Sequence, residues 1–278
     1  MARKHQPFVI AYDFDGTLAP GNMQEYDFVP ALNMKPSEFW SEAKTLAQAQ
    51  QADEILAYMQ LMIHRANSAR VPIRRDDFLY FGSSINFFPG VEEWFARINA
   101  YGKSREVAVQ HFIISSGLRE MVEGTRIARE FERIYASGFM YDQNGVAHWP
   151  ALAVNYTTKT QYLFRINKGS LDVHDNSQIN KYVPPKDRTV PFTNMVFIGD
   201  GETDIPCMRL VKDQGGHSIA VYTRGKSGAK QKAQKLVDDG RTHLAAVADY
   251  SEGSAIDTAI KTMIDKVAAQ RIIAEAGV

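Results

Sequence analysis

Residues 8–18 read FVIAYDFDGTL, from Phe8 to Leu18, and the fold follows from how this stretch is read. The apolar run Phe8, Val9, Ile10, Ala11 and Tyr12 has the length and composition of a buried strand. It delivers two carboxylates, Asp13 and Asp15, into a turn opened by Gly16 and Thr17. The acids therefore emerge at the carboxyl end of a strand, where open α/β sheets place their ligands. On a strand, residues i and i+2 share a face, so these side chains should converge and repel unless a cation or a shared proton lies between them. A hard divalent cation with oxygen ligands suits such a pair. Taken alone, D-x-D reads first as a polar turn that happens to follow a strand.

Two later stretches add weight. Met195 to Asp204 reads MVFIGDGETD, a second apolar strand followed by Gly199, Asp200, Gly201 and, four residues after the first acid, Asp204. Between the acidic stretches, His111 to Gly117 reads HFIISSG, an apolar run ending in Ser115, Ser116 and Gly117. In this order, DFDGT, IISSG and GDGETD resemble the motif set of the haloacid dehalogenase-like hydrolase superfamily, and the resemblance spans most of the chain. It implies an α/β fold: a Rossmann-like parallel sheet with helices on both faces, formed by residues 1–19 and 100–278, and an inserted helical cap of the C1 type at 20–99.

Composition sets limits on partners. Lysine plus arginine and aspartate plus glutamate both number 32, so the net charge is zero and no global charge favours nucleic acid or an anionic membrane. The first apolar run is too short, and broken too soon by acids, for a signal peptide, and no segment approaches the roughly 20 apolar residues that span a bilayer. A cytoplasmic protein is expected. Cys207 is the single cysteine, which excludes an intrachain disulfide or a cysteine zinc site and reads as a small buried residue at a helix start.

After Thr17 the pattern turns helical. Glu38 to Asn67 reads as one long or two consecutive amphipathic helices, with Ser37 as the N-cap after Pro36. Pro72 ends that pattern, Arg74 to Ile85 is mixed, and Pro89-Gly90 marks a turn before a helix at Val91 to Asn99. An insertion of about 70 residues is too long for an ordinary connection and is expected to fold as a separate cap. Asn22, Met23, Tyr26 and Arg65 are candidates to face a substrate there.

A strand from Val107 is expected to stop before Ser115, with a helical stretch from Gly117 through Arg133 whose start could cradle an anion. Asn144-Gly145 between two alternating runs predicts a hairpin. His148 and Trp149 beside it read as structural. Lys159 opens a helical pattern, Gly169 to Thr193 is polar and expected on the surface, and Pro206 suits a helix's first turn. Ser218–Tyr222 and Leu244–Ala248 are candidate strands, and the tail from Ser254 to Ala274 has helical periodicity. Gly225-Lys226-Ser227 imitates the end of a P-loop, but the required earlier glycine would fall on Ala220.

The resemblance also implies a chemistry. Asp13 would attack phosphorus, and Asp15 would protonate the leaving oxygen and then deprotonate the hydrolytic water. Mg²⁺ would be held by Asp13, the backbone carbonyl of Asp15, and Asp200, with Asp204 in support. Ser115, with Ser116 as the second choice, would hold phosphate with Gly117 and a lysine, for which Lys159 has the matching place and Lys168 and Lys186 are rivals. A carboxylate at Asp15 argues against dehalogenation within the family. Phosphonate cleavage would need a cap lysine, and Lys35 and Lys44 stand in no context that selects either. The expected activity is hydrolysis of a small phosphorylated metabolite, similar to the phosphoserine phosphatase branch. A non-catalytic phosphate-binding or regulatory protein and a phosphomutase are the alternatives. Neither the substrate nor the oligomeric state is specified at this level.

Overall fold

A computed structural model describes residues 5–276. The chain opens with β1 (Gln6–Tyr12), the short α1 (Phe28–Ala31), and the inserted helices α2 (Pro36–Gln50), α3 (Glu54–Ala69) and α4 (Arg75–Ser83). Next come α5 (Val91–Ser104), β2 (Val107–Leu118), the five-residue α6 (Arg119–Glu123), and a hairpin of β3 (Arg133–Tyr141) and β4 (Ala147–Leu152). The remainder is α7 (Tyr156–Lys168), β5 (Met195–Gly199), α8 (Ile205–Asp213), β6 (His217–Tyr222), α9 (Ala229–Asp238), β7 (Leu244–Val247) and α10 (Ala255–Ala276). No helix among the described residues is long and apolar enough to cross a membrane.

The strands form one sheet in the order β4-β3-β2-β1-β5-β6-β7, parallel except for β4. β1 is central because it is buried on both faces, which its continuous apolar sequence requires. Alternation assigns its side chains: Phe8, Ile10 and Tyr12 join the apolar core shared with α5, α10 and the inserted helices. Val9 and Ala11 face the second core, built with Tyr162, Leu163 and Ile166 of α7 and Cys207, Met208 and Val211 of α8. Cys207 is buried there as expected.

The insertion takes the second of its two expected outlines and departs from it at the start of α2 and the end of α5. Two helices form, and the first starts at Pro36 with Lys35 rather than Ser37 before it, because proline lacks an N–H and suits a first helical position. Asp53 then caps α3 by accepting from Ile55 N and Leu56 N. Finally, α5 crosses the expected boundary at residue 99 and packs on β2. The apolar residues of α2 to α4 are continuous with the sheet core, and Phe78 stacks on Phe139 of β3 at 5.5 Å.

A polar chain runs through the first core. Trp94 Nε1 donates to Tyr12 Oη (2.8 Å), Tyr12 pairs with His111 Nδ1 (2.9 Å), and His111 Nε2 meets Asn99 Oδ1 (3.0 Å). Burial pulls the imidazole from 6.5 to about 3, so His111 is neutral in the folded protein. Below pH 6.5 the unfolded chain takes up a proton that the folded chain refuses. Stability present above that pH is therefore lost as pH falls toward the folded value, by up to about 1.4 kcal/mol per pH unit. Denaturant midpoints measured across this range should fall more steeply for the wild type than for His111→Gln.

Candidate active site

The acids meet because of strand order. β1 lies between β2 and β5, so the chain reverses its direction of growth across the sheet there, and the crevice at that switch point receives the loops after all three strands. Asp13 N donates to Ile198 O of β5 at 2.9 Å, which sets Asp13 beside the Gly199–Asp200 turn. Carboxylate oxygens of Asp13, Asp200 and Asp204 lie within 4.8 Å of one another. Gly16 permits this approach: it has φ +72°, and a Cβ there would fall 2.1 Å from Asp200 Oδ2.

Asp13 continues the alternation of Val9 and Ala11, toward the face covered by α7. Lys159, fully buried in the first turns of α7, meets it there. Its ammonium lies 2.7 Å from Asp204 Oδ1, 3.3 Å from Asp13 Oδ1 and 3.3 Å from Thr203 Oγ1. Burial alone would favour the neutral amine, but Asp13 and Asp204 outweigh it and hold Lys159 charged, above the usual lysine range. Lys168 instead donates to the carbonyls of Ile179 and Lys181, and Lys186 is exposed in a short turn of helix.

Asp204 is fully engaged: Oδ1 accepts from Lys159, and Oδ2 accepts from Asp200 N (3.2 Å) and Gly201 N (3.1 Å). It orders the loop that carries Asp200. Burial and then Asp13 raise the Asp204 carboxyl against the lowering effect of Lys159. Asp200 is also raised, by loss of hydration and by the neighbouring Asp204 and Asp13. The cluster is short of positive charge.

Asp15 departs from the expected strand geometry, since β1 ends at Tyr12 and the following turn closes on Phe14 O through Leu18 N and Ala19 N. The turn, rather than the strand pleat, brings Asp15 into the same cleft as Asp13. Its Oδ1 accepts from Met23 N at 2.9 Å. Burial, then the Asp13 charge, raises its carboxyl well above the usual range, which favours the protonated form.

The phosphate-cradle expectation needs correction. β2 continues through the Ser-Ser-Gly stretch, because after a register shift Leu118 pairs with Ser137 of β3, and only a five-residue helix follows. Ser115, Ser116 and Gly117 thus line the cleft from a bulged strand end rather than from a long helix. Ser115 Oγ accepts from Gly117 N at 3.1 Å, leaving its O–H to donate, and Ser116 Oγ is buried without a partner.

The resulting cavity is about 450 Å³ and has a wall from the inserted segment: Asn22, Gln24, Glu25, Trp40, Ile55 and Tyr58. Of the earlier candidates, Asn22 lines it. Met23 is buried and contributes its backbone N–H, Tyr26 turns its hydroxyl to Pro20 O, and Arg65 is paired with Glu42. His148 and Trp149 lie on edge strand β4, outside this cavity. Glu25, Trp40 and Tyr58 were missed because helical periodicity does not distinguish a face that packs from one that borders a cleft.

The family model described as haloacid dehalogenase-like hydrolase matches residues 10–209, covering all three motifs. The chain belongs to the haloacid dehalogenase-like hydrolase family. An uncharacterised protein of Borreliella burgdorferi is 26% identical over 281 residues, covering 91% of this chain and 95% of that protein. Among solved structures, a HAD family hydrolase from Salmonella enterica serovar Typhi superposes with TM-score 0.59 at 16% identity, over 93% of this chain and 71% of that one. A substrate-bound phosphoserine phosphatase superposes with TM-score 0.54 at 13% identity, over 86% of this chain and 92% of that one. At these identities the two structural likenesses are of fold. This haloacid dehalogenase-like chain carries its acids and its buried lysine where the loops after β1, β2 and β5 converge.

Proposed function

We propose that the chain is a Mg²⁺-dependent phosphatase of small phosphorylated metabolites that works through an aspartyl-phosphate on Asp13. The observation that carries the reading is the buried Lys159 between Asp13 and Asp204, with Asp200 within reach of both acids. The donor set fits a hard divalent cation: the oxygens are carboxylates, Asp13 Oδ1 is buried and makes no hydrogen bond beyond its 3.3 Å approach to Lys159, and this one buried ammonium faces three acids. The Asp13 and Asp200 carboxylates and the Asp15 backbone carbonyl would hold it. Bound there, it would supply charge neutralisation between the carboxylates and a phosphate.

In the first step an Asp13 oxygen forms a bond to phosphorus as the ester oxygen leaves, and Asp15 gives that oxygen its proton. Asp15 suits this step because it lies in the same cleft as Asp13 and burial shifts its carboxyl toward the protonated form. In the second step, water attacks the phosphorylated Asp13, its proton passes to Asp15, and phosphate departs with Asp13 restored. Lys159 and the Ser115 hydroxyl would bind phosphoryl oxygens, and Asp204 would position Lys159. The cavity, about 450 Å³ and walled on one side by the inserted segment, suits a small metabolite.

Phosphate release from p-nitrophenyl phosphate and a metabolite panel should require Mg²⁺. Chelation should remove the activity and Mg²⁺ should restore it. Equal turnover in chelator-treated protein would refute the metal assignment.

A further inference from the structure

The wall contributed by the inserted segment bears on the alcohol that leaves. The Met23–Glu25 turn hangs on Asp15, whose Oδ1 accepts from Met23 N, so Gln24 and Glu25 stand next to the group that protonates the leaving oxygen. Glu25 is held rigidly: its Oε1 accepts from Asn22 Nδ2 and Trp40 Nε1, both at 2.6 Å. Among the described residues, neither bond uses Oε2, and no lysine or arginine pairs with Glu25. Next to it, Gln24 is 1% exposed, and its Oε1 is buried without a hydrogen-bond partner. A buried amide oxygen left so calls for a donor from a ligand. Trp40 and Tyr58, with ring centroids 5.6 Å apart, complete an aromatic side to the same cleft.

We infer that Gln24, Glu25, Trp40 and Tyr58 form a leaving-group subsite for a primary ammonium, which makes the substrate class the phosphate monoesters of amino alcohols. The inference rests on the phosphatase reading above and narrows its substrate. Glu25 supplies the charge, the aromatic lining adds no competing cation, and Gln24 Oε1 needs an N–H that a quaternary ammonium lacks. Among the described residues lining the cleft, Lys226 is the exposed cation, and its charge acts on Asp200 at the phosphate end. A carboxylate on the leaving group would therefore face Glu25 with no arginine or lysine to receive it. That sets the expected substrate apart from phosphoserine.

The test compares kcat/KM for 2-aminoethyl phosphate, 2-hydroxyethyl phosphate, choline phosphate and O-phosphoserine, with p-nitrophenyl phosphate as a general substrate. The aminoethyl ester should exceed its hydroxyethyl isostere by about ten-fold or more, and Glu25→Gln should collapse that ratio toward one. If the hydroxyethyl ester, choline phosphate or O-phosphoserine matches the aminoethyl ester, the inference is wrong. If p-nitrophenyl phosphate alone is hydrolysed, the phosphatase reading stands and the subsite falls. Calorimetric titration of Asp13→Asn protein with the aminoethyl and hydroxyethyl esters reads recognition apart from turnover. A preference of about ten-fold for the amine there would uphold the subsite if none of the five esters, p-nitrophenyl phosphate included, were hydrolysed, whereas equal binding would overturn it.

Discussion

Asp13→Asn is expected to leave a folded protein whose turnover is reduced at least about ten-thousand-fold. The amide keeps the size of the carboxylate but is not a competent nucleophile toward phosphorus, so the covalent route closes. Folding should survive because the backbone bond from Asp13 N to Ile198 O does not involve the side chain. The partner Lys159 also keeps its closer contact, 2.7 Å to Asp204. Phosphate release and thermal unfolding, measured on one preparation, separate chemistry from stability. Beryllium fluoride, which mimics a phosphoryl group on aspartate, should be retained with Mg²⁺ by the wild type and not by the variant. Activity persisting in Asp13→Asn would place the nucleophile elsewhere.

The second large effect concerns Lys159. Its Nζ serves two buried carboxylates, and Lys159→Met would leave Asp13 and Asp204 facing each other without a countercharge. Removing one partner of a buried ion pair costs about 3–5 kcal/mol, because the remaining charge stays desolvated. The variant should therefore lose about that much unfolding free energy in the presence of a chelator. Part of the loss should return with Mg²⁺, since a cation among the same acids would replace some of the missing charge. Phosphatase activity should be lost with or without it. A denaturant midpoint unchanged from the wild type would show that the lysine is not the counterion of this cluster.

Much of this was legible along the chain, and the legible parts share a cause. A buried strand advertises itself by an unbroken apolar run, so β1 and β5, and with them the places of Asp13 and Asp200, could be read from local text. The hairpin turn was equally readable, because Gly145 at φ +73° does what an Asn-Gly pair is suited to do. The Ser-Ser-Gly stretch was misread for a reason that lies outside it. Small polar residues suit a helix start, but pairing with β3 across a register shift kept the chain extended to Leu118. The start of α2 was displaced by a single residue type, since Pro36 opens a helix without waiting for a side-chain cap.

The ordered acidic motifs, the alternation of apolar runs with helical pattern, and the long helical insertion were determined by sequence alone, because each depends on neighbours within a few residues. Which of Lys159, Lys168 and Lys186 meets the acids is visible only in the tertiary structure. Three lysines have the same chemistry, and what separates them is that the odd-numbered face of β1 looks toward α7, which places one ammonium between two acids. The cleft wall of Gln24, Glu25, Trp40 and Tyr58 belongs to the same class. Side chains from three separate elements border one cavity there, and a linear pattern carries no information about which apolar face meets the core and which meets a ligand.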